Sequence, residues 1–237
     1  MDWTKNKSVK SSENKHNCGF CKRAFSTERT LAAHMCTQKR RHLDKDSVAS
    51  RMGLELFRRF FEINTATKKP KSIEDFIASK YYTTFIKFAR HLMDLRPVDQ
   101  GRFVDFVFRN GIKERDWCKD KIYEAYILDL LQKEPADRGV ERSINTMQQW
   151  AEAEGKDFTD FFREVAPAEA AHIIKMGKLS PWVLYLAESS DSLWGRLSEE
   201  QADMISSLVD PKIWRLKFEL KKEDCTFIRD LLKDFGL

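Results

Sequence analysis

The sequence predicts a mostly α-helical protein with a short, differently built segment near its N-terminus, and three observations carry that reading. Glycine and proline are sparse, 9 and 6 in 237 residues, which disfavours the turn-rich chemistry of β architectures. Beyond Asp44 apolar residues recur at three- and four-residue spacing, the period of a helix with one buried face. Three of the 5 cysteines crowd into residues 18–36. With 42% hydrophobic and 12% aromatic residues, led by 17 Phe, the chain can fill a real core.

Taken in order, residues 1–15 (MDWTKNKSVKSSENK) are polar and aperiodic, and read as a flexible basic arm. Residues 16–43 form a cysteine- and histidine-bearing unit. From 44 to 237 an all-α domain is expected, either continuous or divided into two subdomains near 134–140, where Pro135 interrupts the pattern. Its first helix should begin near Asp46 or Ser47, with Val48, Met52, Leu56, Phe60 and Ile63 down the inner face and Phe57 and Phe61 widening it. That helix ends before the breaker KKPK at 68–71. Ser72 then heads SIED, a capping arrangement, and starts a short helix to about Ser79. Another follows through YYTTFIKFARHLMDL and stops before Pro97. The next, Gln100 to Arg109, turns Phe103, Val104, Phe106 and Val107 inward. From Lys113 to Lys133 one continuous helix is expected on Trp117, Ile122, Tyr126, Ile127 and Leu130.

Further helices are expected at 138–153, 158–164, 168–177, 181–188, 199–208, 211–219 and 223–235. Pro167, Pro181 and Pro211 suit first helical positions, where a missing amide costs nothing. Ser198, followed by Glu199, Glu200 and Gln201, is a second capping box. No repeat of solenoid length is present. No apolar run approaches the roughly 18 residues of a bilayer span, and no apolar stretch backs the N-terminal charges. A soluble cytoplasmic protein without a membrane partner is expected.

The chemistry concentrates in CGFCKRAFSTERTLAAHMCTQKRRH, residues 18–42. Cys18 and Cys21 are spaced so that both thiolates reach one ion from a tight turn, and His34 follows at the spacing of a ββα zinc finger. Phe25 and Leu31 fall where such a finger keeps its small core. The fourth ligand is irregular, because Gln38, Lys39 and Arg40 stand where a second histidine would be. Cys36 or His42 must serve, and either requires the helix to end near His34. Cys36 closes the smaller loop and offers a thiolate, whereas His42 would close a loop through Lys39-Arg40-Arg41, which repel one another. Cys36 is favoured, with His42 as the alternate. Four protein ligands make one closed, structural Zn2+.

The same segment resembles the amino-terminal zinc-finger segment of a family of poorly characterised proteins of large contractile-tailed bacteriophages. The stretches IEDFIASKYYTTFIKFARHL, SPWVLYL and DPKIW extend the resemblance over most of the chain. It implies a phage-encoded protein made in the cytoplasm of the host bacterium, a His-x-Cys ligand pair at His34 and Cys36, and no particular reaction.

Residues 1–45 carry 11 Lys or Arg against 4 Asp or Glu, and the remainder 31 against 33. Such an excess suits phosphates, whose counterions each cation releases. The base-reading positions of the finger would be Thr27, Thr30 and Ala33, too short for strong discrimination, with Arg29 alone able to fork onto guanine. The expectation is weakly specific contact with the DNA or RNA phosphate backbone through Lys22, Arg23, Arg29, Lys39, Arg40 and Arg41. The three basic residues at 39–41 could equally form a solvated face. A protein partner is expected for the helical domain. Phe57, Phe60, Phe61, Phe85 and Phe88 fall at core spacing rather than as base-stacking platforms. Enzyme signatures are missing: there is no phosphate-cradling glycine loop, nucleophile elbow or His-Glu-x-x-His helix. A non-enzymatic regulatory or replication accessory factor is the first expectation. A protein-interaction adaptor or virion component is the alternative.

Overall fold

The structure, a computed structural model, describes residues 16–65 and 70–237. The expected arm at 1–15 and part of the KKPK breaker lie outside the described residues. The fold is mostly α, with a two-stranded hairpin near the N-terminus followed by helices. The chain divides into two compact units, one ending at His91 and one spanning Leu92–Leu237.

The first unit opens with β1 (His16–Asn17) and β2 (Ala24–Phe25), antiparallel with His16 opposite Phe25. Then come α1 (Glu28–Ala33), α2 (Thr37–Leu43), α3 (Val48–Asn64), α4 (Ile73–Ala78) and α5 (Tyr82–Leu95), which runs on past His91. Each start has a local cause. Thr27, Cys36, Ser47 and Ser72 cap the first four helices by accepting a backbone amide, and Ser72 with Asp75 completes the expected capping box. An aromatic cluster joins α3, α4 and α5. The Phe57 ring lies 5.3 Å from Phe76 and meets Phe85 edge-on at 5.5 Å, while Phe76 lies 4.8 Å from Tyr82.

The inner face of α3 differs from the expected one. Val48 is 55% exposed, and the buried residues are Ala49, Ser50, Gly53, Leu56 and Phe57. Small residues win here because they let the helices approach. A Cβ at Gly53 would lie 3.0 Å from the Phe76 ring and 3.1 Å from the Ile86 methyl. The buried Ser50 hydroxyl donates to the Asp44 carboxylate at 3.1 Å and lies 3.1 Å from the Tyr82 hydroxyl.

The second unit contains α6 (Gln100–Arg109), α7 (Asp120–Lys133), α8 (Ala136–Glu154), α9 (Phe161–Glu164), α10 (Pro167–Lys175), α11 (Pro181–Leu186), α12 (Asp191–Trp194), α13 (Glu199–Ile205), α14 (Pro211–Leu220) and α15 (Lys222–Asp234). Pro167, Pro181 and Pro211 each take the first helical position. The helices α8, α11 and α15 pack against one another. Trp182 and Trp214 meet edge-to-face at 6.2 Å, with Phe218 against both.

One expectation fails in this unit. The stretch from Lys113 to Lys133 is not one helix: a 3-10 turn at Glu114–Asp116 precedes α7. Trp117, buried between them, donates its indole N–H to the Ile112 carbonyl at 2.9 Å, which fixes the turn. The boundary between the two compact units lies at His91 and Leu92, and 134–140 falls inside the second. Pro135 does end α7, but Glu134 turns inward and is held by both Nη atoms of Arg142. Ser180 donates to the same carboxylate at 3.1 Å, and Arg142 reaches the Gly177 carbonyl at 2.8 Å. Gly139 permits this crowding, since a Cβ there would lie 2.6 Å from the Ser180 hydroxyl. The proline marks a joint tied by a buried ion pair.

Candidate metal centre

The local sequence of residues 16–43 gathers its donor atoms by breaking the chain direction twice. Between the strands, Lys22 adopts a left-handed conformation, φ 61°, and its amide donates to the Cys18 carbonyl at 3.0 Å. This tight turn brings Cys18 and Cys21 to one side. The second break lies between the helices. α1 stops after Ala33, His34 and Cys36 are both extended, and Cys36 caps α2 by accepting the Lys39 amide on its sulfur at 3.3 Å. On one continuous helix residues two apart point to different faces. The extended step from 34 to 36 removes that obstacle.

The result is a single gathering of ligand atoms. Among the described residues, Cys18, Cys21, His34 and Cys36 each offer one, all within 4.8 Å of one another. Cys21 Sγ lies 3.2 Å from His34 Nε2, and the Cys18 and Cys36 sulfurs are 4.0 Å apart. A tetrahedral ion bound by thiolates and an imidazole needs donor separations of about 3.4–3.8 Å, so the group is able to hold one metal ion once its widest pairs, within 4.8 Å, close by about 1 Å. Cys18 is buried and Cys21 exposed. The backbone amides of Cys21 and then Phe20 hold the Cys18 thiol down to about 7. The Arg23 amide acts to lower Cys21, but loss of water and the Cys18 and Cys36 sulfurs outweigh it and raise that thiol. Phe25 packs its ring 4.6 Å from His34 and orients the imidazole.

His42 lies elsewhere, exposed on α2 with its ring 5.2 Å from Phe20. Thr27 and Thr30 are occupied with each other: Thr27 Oγ1 accepts the Thr30 amide at 3.2 Å, and the Thr30 hydroxyl donates to the Thr27 carbonyl at 2.8 Å. With α1 only 6 residues long, no extended reading helix is present there.

Of the six basic residues, Lys22, Arg23, Arg29 and Arg40 are exposed. Lys22 reaches back to the Gly19 carbonyl at 2.9 Å, and Arg23 lies over the Phe25 ring at 5.6 Å. Lys39 is half-buried, with its ammonium 3.4 Å from the His34 carbonyl. Arg41 departs from expectation. Its Nη1 donates to the carbonyls of Ile77 at 2.9 Å and Ser79 at 3.1 Å, and its guanidinium stacks 4.6 Å from the Tyr82 ring centre. It closes the C-terminus of α4, whose last carbonyls lack intrahelical partners, and so is turned away from any external phosphate. Sequence reasoning missed this because a three-residue basic run gives no sign of which member points inward.

Fold and site together define a mostly α-helical protein bearing a Cys3His group able to hold one metal ion. No family model, curated protein or solved structure matches the chain. No described helix is long and apolar enough to cross a membrane.

Proposed function

We propose that this is a zinc-finger protein, non-enzymatic and phage-encoded, that acts in the host cytoplasm as a nucleic-acid-associated regulatory or replication accessory factor. Three cysteines, soft ligands as thiolates, and a borderline imidazole suit zinc in a closed structural site. The phage origin rests on the resemblance of the finger segment and the later stretches. The observation that carries nucleic-acid binding is the charge of the unit that holds the ligands: up to His91 the chain has 20 Lys and Arg against 9 Asp and Glu. Lys22, Arg23, Arg29 and Arg40 are its exposed cations nearest the ligands, and phosphate contact through them is sequence-tolerant and salt-sensitive.

The test is a gel shift of the full zinc-loaded chain on duplex and single-stranded DNA and RNA. Retardation at about 50 mM salt that fades by about 200 mM is expected. Migration of every probe unchanged at the lower salt sinks the reading. For the ligands, Cys36→Ser should lose zinc stoichiometrically and His42→Ala should keep it; the reverse would hand the fourth position to His42.

A second reading, the protein-docking adaptor or virion component, draws on exposed apolar residues along the same segment. Phe20, Met35, Leu43 and Val48 are 41%, 49%, 66% and 55% exposed. It predicts a stoichiometric partner that co-purifies after nuclease treatment and is lost on Phe20→Asp.

A further inference from the structure

The helix α14 has two apolar faces, and only one of them is covered. Trp214 is 2% exposed and Phe218 packs beside it against Trp182 and Tyr185, which accounts for the inner face. Ile213, Leu216 and Leu220 are 41%, 58% and 76% exposed. Their spacing of three and four residues sets them in one row along the opposite side. A row of this kind in water is a cost that a partner would remove.

We infer that this row is a homodimer contact, in which α14 of a second copy of the chain packs antiparallel against it about Leu216. Charge on the flank of the row selects that occupant. Lys212 and Glu219 lie on the same flank, seven residues apart, and both are exposed. When two such helices pair antiparallel about Leu216, Lys212 of one falls within one residue of Glu219 of the other, an axial offset of about 1.5 Å. The same operation brings Ile213 within one residue of the second copy's Leu220 and sets Leu216 against itself. Parallel pairing would instead oppose like charges. Arg215, also on that flank, forms an ion pair with Glu219 at 3.2 Å in its own helix. The other flank is closed, because Lys217 is tied to the Leu131 and Gln132 carbonyls at 3.0 and 3.1 Å. A two-fold contact of this kind is self-complementary, as a homodimer requires. One ten-residue helix offers less than the roughly 800 Å² per partner of a standard interface, so the dimer is weak, with a Kd on the order of 10 µM.

Sedimentation equilibrium of the full zinc-loaded chain over a concentration series tests this. The wild type should shift reversibly from monomer to dimer. Leu216→Glu, a surface change that leaves the circular dichroism and melting curve unaltered, should raise Kd about 100-fold, because the residue counts twice at the two-fold axis. Lys212→Glu and Glu219→Lys should each raise Kd about 3- to 10-fold, and the double variant should recover most of that loss. A wild type that remains monomeric at about 200 µM overturns the proposal and leaves the row to a different partner. Association that survives Leu216→Glu overturns it too. Failure of the double variant to recover removes the antiparallel register.

Discussion

Up to His91 the chain carries 20 Lys and Arg against 9 Asp and Glu; after it the balance is 22 against 28. The two compact units thus differ in sign as well as in construction. The first is held by a small aromatic cluster of Phe57, Phe76, Tyr82 and Phe85 and gathers Cys18, Cys21, His34 and Cys36, a group able to hold one metal ion. The second is held by a Trp-centred core and a buried ion pair of Glu134 with Arg142. Net positive charge does not stop at residue 45, because residues 46–91 add 9 cations against 5 anions. The lesson is that the basic character belongs to a folded unit rather than to a tail attached to a neutral body.

Removing the metal should give the largest contrast between the units. Chelation of the zinc-loaded chain is expected to abolish amide-exchange protection over 16–36, since structural zinc supplies about 10–16 kcal/mol to such small folds. Protection in α3, α5 and α8 should persist; its loss everywhere would mean that the helical parts depend on the metal as well. Next in size, Glu134→Ala should destabilise the second unit by about 3 kcal/mol in urea unfolding, because the half-buried Arg142 and the buried Ser180 hydroxyl lose their common partner. Zinc content should not change, and a loss below about 1 kcal/mol would break the claim that an ion pair holds that joint.

A pair of neighbouring arginines separates structural from external cations within the first unit. Arg41→Ala removes two carbonyl hydrogen bonds and a ring contact, and should cost about 1–3 kcal/mol of stability. Its effect on the salt dependence of nucleic-acid binding should be nil. Arg40→Ala should do the opposite, leaving the melt unchanged and lowering the salt slope by about 1. Equal behaviour of the two in both assays would dissolve the distinction. Smallest is Gly53→Ala, where overpacking against Phe76 and Ile86 costs about 1–3 kcal/mol and better helix propensity returns about 1. Calorimetry should show a lower melting temperature for the first unit alone.

Much of the fold can be read from local chemistry. Ser47, Ser72 and Ser198 start helices because their hydroxyls accept amides that no preceding carbonyl-bearing turn can satisfy. Gln100–Arg109 is bounded by Asp99 and Asn110, and the three prolines begin helices for want of a donor. What escaped depends on residues far apart in sequence. The inner face of α3 is set by Ala49, Ser50 and Gly53, whose value lies in what they allow Phe76 and Ile86 to do. The buried Glu134 is invisible until Arg142 and Ser180 are placed around it. Short α12 carries too few residues to show a period. At the metal centre, the ligand types and their crowding were legible. The direction of Arg41 was not, because it is decided by α4.

The fate of α2 bears on how the finger would meet a partner. Its first turn begins at the Cys36 sulfur, and its far end is clasped by Arg41 to the last carbonyls of α4. Fingers joined by pliant linkers lose rotational freedom each time they dock, and affinity suffers accordingly. Here the helix is arranged as a bracket rather than a tether, joined to the Cys3His group at one end and to α4 at the other. A surface that touches Arg40 meets a helix already held at both ends, so the entropy of placing it is settled during folding and not at the encounter.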